Sequence, residues 1–409
     1  MVGGGVIGAC CALELQRAGA RVTLLERGPE LAWGCSAGNA GLIHHSVPLA
    51  TPANLRNGLR WMLTPDSPFY LRLRPGVLPW LARFAAACTP ERAAASARIL
   101  RSLSASSLAH HAAYAAEGLG TGFERQGTIL VYLTDDGLAA GRDEARGHAT
   151  AGVRSEILTT REAKTLEPAL ADGFAGAVYY PDEAHCEPAG FVHAIGRAAA
   201  EAGAEIQTRV EVISLRTRGG RVASLQTTAG EVAAETVVLA AGAWTARLAA
   251  TVGVFCPLEG GKGYHVDVEA AAADPRIPVY VQESRVIATP LPGRLRLSGT
   301  LELAGLDLSV DERRVEAIVR GMERALPGLG SRPRLETWRG LRPCTPDGLP
   351  VIGRAPEAEN LVLATGHAMM GLTLAPATAR LVAGLVAGVP ALDELAPFRP
   401  ERFRAILGL

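Results

Sequence analysis

Two strand–glycine–helix units predict an α/β fold with a Rossmann-like domain of the glutathione-reductase type. One unit opens the chain with "MVGGGVIGACC", and the other lies near its end in "NLVLATGHAMMGLTLAPATARL". A third observation is size: 409 residues, 48% of them hydrophobic, are enough for a second domain and a large core. We expect this second domain to be α+β and built on an antiparallel or mixed sheet.

The first unit fits the dinucleotide-binding fingerprint. Its glycines follow G-x-G-x-x-G, a helical repeat of apolar residues comes next, and the strand "RVTLLERG" ends on an acid at the spacing typical of this fingerprint. The glycines permit a tight turn and close approach of backbone to a pyrophosphate, which the helix N-terminus attracts. The expected contacts here are Gly3, Gly4, Gly5, Val6, Ile7, Gly8, Glu26 and Arg27.

Only Met1 and Val2 precede the first glycine, whereas a paired strand needs about five residues. Either the native start lies upstream or the sheet closes with a stub, and we favour an upstream start. In the chain as given, the first strand should be short.

The second unit carries no acid after its strand, which we place at 361–364. Its helix begins near Gly371, Leu372 and Thr373, and the positive end of the helix dipole there would face an anion. Reduced flavin carries negative charge at its N1–C2=O edge, so this end favours FAD over NAD. In the middle of the chain, a strand over 237–239 followed by Gly242, and a strand around Val210, are expected beside the dinucleotide.

These segments resemble the FAD-dependent D-amino-acid oxidase/dehydrogenase superfamily, bacterial D-amino-acid dehydrogenases in particular. The motifs in the order of that family are "CSAGNAGLIHHSVPLATP", "FERQGTILVY", "LAAGAW", "GGKGYHV" and "GLRPCTPDGLPVIG…GH". Glycine oxidase and sarcosine oxidase are similar but match "GNAG" less well. The resemblance covers nearly the whole chain and implies further FAD contacts from Ser36, Asn39, Ala40, Gly41, Leu42 and Gly366.

The resemblance also implies a reaction. Such enzymes move hydride from Cα of a D-amino acid to flavin N5, giving a 2-oxo acid and ammonia, and pass electrons to a quinone or other acceptor, in some cases O2. Two alternatives stay open: a glycine- or sarcosine-type amine oxidase using O2, and an FAD-dependent 2-hydroxy-acid dehydrogenase. A flavin-binding subunit without activity of its own is a third.

Three residues are predicted at the catalytic site. By family position Arg342 anchors the substrate carboxylate, with Arg339 as the second choice. Tyr264 either shares the carboxylate or packs inside a sheet, because alternation in "KGYHVDV" puts it on one face with the valines. His367 either lines the site or is held by loop backbone. We expect Lys262 to be structural.

No metal and no covalent flavin are expected. His44 and His45 are adjacent, but no carboxylate or cysteine lies at ligand spacing near them in the sequence. Sarcosine oxidases attach flavin to a cysteine whose place is taken here by Leu341, whereas Cys344 is offset from it, so FAD should be noncovalent.

Charge and hydropathy narrow the partners. Forty-one basic residues balance forty-one acidic ones, which gives no field for nucleic acid. No run of 18 uncharged apolar residues is present, so we expect a cytoplasmic protein, with peripheral association at the inner face of the plasma membrane as the open alternative. Aromatic residues at 61, 69, 70, 80 and 84 fit a core better than a membrane surface or a docking face for an electron acceptor.

We expect two discontinuous domains. The FAD-binding domain should comprise 1–60, 186–250 and 337–409, and the substrate-binding domain 61–185 and 251–336.

Overall fold

The computed structural model describes residues 1–45, 47–61, 67–389 and 392–403. The helices within these ranges are α1 (Val6–Arg17), α2 (Pro52–Trp61), α3 (Leu78–Ala87), α4 (Pro90–Ala116), α5 (Asp135–Ala149), α6 (Thr160–Leu166), α7 (Pro188–Glu201), α8 (Thr245–Ala250), α9 (Glu312–Glu323), α10 (Gly371–Val386) and α11 (Leu392–Leu395). Two short 3-10 turns, Gly242–Trp244 and Ala368–Met370, matter for the site.

The strands of the described residues form five sheets. They are β1 (Thr23–Leu25), β2 (Leu42–Ile43), β3 (Phe69–Leu71), β4 (Thr128–Tyr132), β5 (Glu156–Leu158), β6 (Gly176–Tyr180), β7 (Ala184–His185), β8 (Glu205–Gln207), β9 (Val212–Arg218), β10 (Arg221–Thr227), β11 (Gly230–Val232), β12 (Val237–Leu239), β13 (Glu259–Glu269), β14 (Val279–Val281), β15 (Val286–Leu291), β16 (Arg294–Leu303), β17 (Arg334–Cys344), β18 (Val351–Ala355) and β19 (Ala358–Thr365).

The first domain is organised by a parallel arrangement of short strands. β1 pairs with β8 and β12 pairs with β19, and Val2 bridges both Leu25 and Leu239 in parallel. The stub expected at the start of the chain therefore joins the two halves of this sheet. Helix α1 packs against α7 and α10, because its buried face is almost entirely small or apolar.

Gly8 shows why the fingerprint needs glycine at its third position. A Cβ at Gly8 would collide with the carbonyl oxygen of Gly3, so any other residue would push α1 away from the loop. Gly3 itself has φ +102°, a conformation that favours glycine.

The second domain is built on a nine-stranded sheet in the order β17-β13-β16-β15-β14-β4-β6-β5, with β3 added to β16. Most neighbours are antiparallel, while β14 with β4 and β16 with β3 are parallel. One face packs on α9 through residues such as Val266, Leu297 and Ile318. The predicted α+β domain on a mixed sheet is confirmed.

The division between the domains differs from the expected one. Helix α4, assigned above to the substrate domain, packs in the first core: the Tyr114 hydroxyl donates to Glu14 Oε1 (3.0 Å), and Ser107 Oγ accepts from the Ala377 amide (3.3 Å). Strand β17 belongs to the large sheet along its whole length, past the boundary set at 337. Apolar periodicity predicts elements, but it does not say which core they join.

Three of the aromatic residues after α2 pack together in a small core, in which Trp80 is buried and Phe69 and Phe84 are partly buried. Trp80 is buried, stacks on Phe84 with centroids 5.2 Å apart and donates from Nε1 to the Cys344 carbonyl (3.0 Å), whereas Tyr70 is partly exposed. One segment, Ala368–Val386, is long and apolar enough to cross a membrane by composition, which the expectation above missed. It contains α10, whose N-terminal half lies in the first core.

Candidate active site

A cavity of about 430 Å³ opens between the N-terminal ends of α1 and α10. Most of the predicted cofactor contacts line it. They are Gly3, Gly5, Val6, Ile7, Glu26, Arg27, Ser36, Asn39, Val210, Gly242, Gly371 and Leu372. Both helices begin without an acidic residue in the first turn and without a cap from the side chain of their own N-cap residue, so their positive dipole ends face the cavity. This arrangement suits a cofactor with a pyrophosphate and an anionic ring edge.

Glu26 marks the nucleotide end of the cavity. Its carboxylate accepts from the amides of Gly4 (2.6 Å) and Gly28 (2.7 Å), which fixes its position at the rim. Gly4 therefore acts by holding Glu26 and does not line the cavity. The remaining lone pairs of the carboxylate can accept from a ribose diol.

Val210 and Trp244 form the opposite wall at this end. Val210 lies between β8 and β9, where its amide donates to the Glu26 carbonyl (2.9 Å), so the predicted strand around it is wrong although its place in the cavity is right. The Arg27 guanidinium lies 3.8 Å from the Trp244 ring centroid. We did not single out Trp244 from the sequence, although it ends the quoted motif "LAAGAW".

The segment from Ser36 to Leu42 runs between the two helix starts. Ser36 Oγ accepts from the Val6 amide (2.9 Å), and the Asn39 side chain accepts from the Gly41 amide (2.9 Å) and donates to the Met369 carbonyl (3.3 Å). Gly41 has φ +86°, and a Cβ there would approach the Cys186 carbonyl oxygen at 2.5 Å. The segment thus ties α1 to the loop before α10.

Several predicted contacts support the cavity without lining it. The Thr373 hydroxyl donates to the Leu42 carbonyl (3.2 Å) and so secures β2 to α10. Gly366 has φ +80° and makes the turn that leads to α10. Gly8 and Gly41 permit close backbone packing, and Ala40 lies within the segment just described.

Arg342 lies on β17 between Leu341 and Pro343, which line the cavity. Its guanidinium lies over Gly263 of β13, where a Cβ would collide with it, and its Nη1 donates to the Thr300 carbonyl (2.6 Å). Burial lowers the pKa of Arg342, and no carboxylate lies within ion-pair distance of it among the described residues. A partly buried guanidinium without a counter-ion suits an anionic ligand.

The Thr300 carbonyl, which accepts the hydrogen bond from Arg342, lies in a β-bulge. The pairing of β13 with β16 shifts register between Lys262 and Tyr264, and Thr300 in this bulge has φ +61°. Such a backbone is uncommon for a β-branched residue and costs of order 1–3 kcal/mol. The Thr300 carbonyl accepts from the Arg342 guanidinium, so this strained residue lies next to the predicted anchor. The Thr300 hydroxyl is buried without a hydrogen-bond partner and is free to donate.

The prediction that Tyr264 shares the carboxylate is corrected by its position. Tyr264 lies on the opposite face of β13 from Gly263, inside the core of the second domain, and its hydroxyl donates to Glu302 Oε2 (2.9 Å). Lys262 shares that face and binds Asp307 (2.9 Å) and Glu302 (3.3 Å), which agrees with the structural role expected of it. The predicted alternation along β13 is right, but the face that carries Tyr264 packs in the core of the second domain and not toward the cavity.

His367 lines the cavity at the start of the loop before α10. Its Nε2 lies 2.9 Å from Thr378 Oγ1, while its buried Nδ1 has no partner. Burial lowers the pKa of His367 to about 3, so the ring is neutral at physiological pH.

The chain and known proteins are similar over their full lengths. The family model described as "FAD dependent oxidoreductase" (DAO) matches residues 1–385. A D-amino acid dehydrogenase of Paramagnetospirillum magneticum is 32% identical, over 100% of this chain and 99% of that protein; a D-amino-acid oxidase of Bradyrhizobium diazoefficiens is 32% identical, over 98% of each. Among solved structures, glycine oxidase from Geobacillus kaustophilus is 29% identical with a TM-score of 0.76, covering 98% of this chain and 97% of its own. The chain belongs to the DAO family of FAD-dependent oxidoreductases.

Proposed function

We propose that this enzyme oxidises D-amino acids to the corresponding imino acids, which water then converts to 2-oxo acids and ammonia. The observation that carries the proposal is Arg342, a partly buried guanidinium without a carboxylate partner among the described residues, on a strand whose neighbouring residues line the cavity. An α-carboxylate supplies the missing counter-ion. The curated relatives named above act on D-amino acids by name, which supports the same substrate class.

The residues present fit FAD along the whole cavity. Gly3, Gly5 and the start of α1 would hold the pyrophosphate, Glu26 the ribose, and the start of α10 the ring edge that becomes negative. When bound, FAD accepts the hydride that leaves the substrate. The chain itself supplies orientation: Arg342 fixes the carboxylate through a two-pronged hydrogen bond and so limits how Cα is presented.

In the proposed reaction no side chain acts as a general base. His367 lines the cavity, and burial keeps it neutral with one nitrogen engaged by Thr378. The substrate amine therefore loses its proton to water before oxidation, and the rate should rise with pH as the neutral amine becomes more abundant.

We also propose noncovalent attachment and an acceptor other than O2. Leu341 lines the cavity where a related cysteine would attach flavin, whereas Cys344 is buried away from the cavity lining. A quinone or protein carrier at the inner face of the plasma membrane is the proposed acceptor, on the strength of the relatives named as dehydrogenases.

The test is anaerobic flavin reduction of the holoenzyme, followed at the flavin absorbance band. The panel contains D-amino acids and their L-enantiomers, D-proline, glycine, sarcosine and 2-hydroxy acids. The proposal expects bleaching by D-amino acids and not by the L-enantiomers. Bleaching by glycine, sarcosine or 2-hydroxy acids alone would overturn it, and slow recolouring in air would support a non-oxygen acceptor.

A further inference from the structure

Three side chains of the second domain hold the segment Ala37–Asn39 of the first. Arg296 on β16 is 3% exposed, and its Nη1 donates to the carbonyls of Ala37 (2.6 Å) and Asn39 (3.0 Å). The rest of the guanidinium forms a two-pronged pair with Asp267, with both N–O distances 2.9 Å. One buried side chain thus joins two backbone carbonyls of the segment to the large sheet.

The residue between these two carbonyls is held as well. His265 Nδ1 lies 3.3 Å from the Gly38 carbonyl, and its ring stacks on Trp338 with centroids 5.2 Å apart and planes 8° from parallel. A Cβ at Gly38 would collide with the Trp338 ring, so the indole lies directly against the segment. We call Arg296, His265 and Trp338 the clamp.

The clamp lies on the same sheet face as the substrate anchor. Residues 338, 340 and 342 lie on the same face of β17, and Gly340 leaves room there for the indole of Trp338. The clamped segment in turn supplies Asn39 to the cavity wall, and the adjoining Ser36 lines the wall and accepts from the first amide of α1. The clamp therefore links the sheet that carries Arg342 to the wall that receives the cofactor.

The charged groups around the clamp already form ion pairs with one another. His265, Asp267 and Glu336 lie close enough together to bind a metal ion. However, Asp267 already pairs with Arg296 and with Arg294 (2.8 Å), and two guanidinium groups beside it disfavour a metal ion.

We propose that Arg296 is a positioning residue that holds the segment Ala37–Asn39, which would contact FAD, against the sheet that carries Arg342. Lysine at this position keeps the charge but cannot bind a carboxylate in two-pronged fashion while donating to two carbonyls. Replacing Arg296 by lysine should therefore weaken FAD binding directly and slow flavin reduction by the substrate as a consequence. The expected change in the reduction rate rests on the proposed function, whereas the expected change in FAD affinity does not.

The test compares Arg296→Lys with Arg354→Lys. Arg354 also donates to two backbone carbonyls, those of Glu359 (2.9 Å) and Leu385 (3.0 Å), but it lies outside the cavity lining. We expect Arg296→Lys to weaken binding of FAD to the apoprotein about tenfold, measured by flavin fluorescence, and to lower the limiting rate of reduction at saturating D-amino acid. Arg354→Lys should leave both within about twofold, even where its melting temperature falls equally.

A second variant guards against simple unfolding. Gly38→Ala adds one methyl group against Trp338 without changing any charge, and it should weaken FAD binding in the same direction. Hydrogen exchange at residues 39–41 should then be faster in both clamp variants than in the parent. Equal loss of FAD affinity in Arg296→Lys and Arg354→Lys, or unchanged affinity in both clamp variants, would overturn the proposal. A parent enzyme that no D-amino acid reduces would contradict the proposed function and leave the FAD arm intact.

Discussion

Two basic side chains away from the cavity, Lys262 and His45, differ from two at the cavity, Arg342 and His367, in whether a carboxylate faces them. Away from the cavity, Lys262 faces Glu302 and Asp307, and His45 donates to the buried carboxylate of Glu183. Burial opposes the charged form of Lys262 and of His45, but the carboxylates outweigh it and raise the pKa of both.

At the cavity, the pattern is reversed. Arg342 and His367 have no carboxylate within ion-pair distance among the described residues, and burial lowers the pKa of each. Lys262 and His45 each have a carboxylate partner, whereas the Arg342 guanidinium bonds only a backbone carbonyl among the described residues. The difference indicates that the counter-ion of Arg342 comes from outside the chain, as the carboxylate of a substrate would.

Removing the unpaired cation should have the largest effect on activity. We expect Arg342→Ala to lower kcat/KM for D-amino acids roughly 30-fold to several thousand-fold, which corresponds to a loss of about 2–5 kcal/mol of transition-state stabilisation. The flavin spectrum should be unchanged. The matched control is Arg339→Ala on the same strand, which removes an exposed hydrogen bond to the Leu308 carbonyl. Steady-state kinetics with an artificial acceptor measures both. Equal losses in the two variants would show that the comparison fails.

Removing the paired cation should instead affect stability. Lys262→Met leaves the buried Glu302 without a cation and Asp307 with only Arg72 (3.8 Å), and we expect a loss of about 3 kcal/mol in the free energy of unfolding. Lys164→Met is the control, because its exposed pair with Asp172 (2.5 Å) should contribute below about 1 kcal/mol. Urea unfolding of both variants checks this, and a larger loss for Lys164→Met would contradict it.

His367 should make the protein sensitive to acid. Its pKa is about 3 when folded and 6.5 in the unfolded chain, so the unfolded state binds more protons as pH falls below 6.5. The stability it contributes is present above that pH and declines on acidification, by about 2 kcal/mol between pH 7 and pH 5. Replacing it by glutamine should flatten this part of the curve of stability against pH. If stability fell equally with pH in the parent and in the variant, the conclusion that the His367 ring is buried and neutral would be wrong.

The smallest effect is expected at Tyr264, on the paired side. Tyr264→Phe removes one hydrogen bond to Glu302 and should cost about 1 kcal/mol of stability without changing the rate of flavin reduction. Stopped-flow reduction and urea unfolding of the same preparation separate the two readouts. A tenfold slower reduction with unchanged stability would return Tyr264 to the catalytic site.

Local signals in the sequence predicted the cofactor side well. The glycine fingerprint, the strand Val237–Leu239 and the helix start at Gly371 each depend on neighbouring residues, and each lies where it was expected. The position of Arg342 beside the cavity followed from a family motif, because composition alone could not single out one arginine among many.

Long-range packing accounts for what the sequence did not predict. Alternation placed Tyr264 with the valines, but only the structure shows that α9 covers that face. Val210 binds the backbone of Glu26, far away in sequence, and helix α4 joins the first core through Tyr114 and Glu14. The clamp was missed for the same reason, since its residues come from three strands.

The most direct test of the central claim is whether Arg342 recognises the substrate carboxylate itself. The measurement is the second-order rate constant for anaerobic flavin reduction by a D-amino acid and by its amide, in the parent and in Arg342→Ala. Our account predicts that the parent strongly prefers the acid and that the variant reacts with acid and amide at nearly equal rates. A variant that keeps the preference of the parent for the acid would show that another group binds the carboxylate.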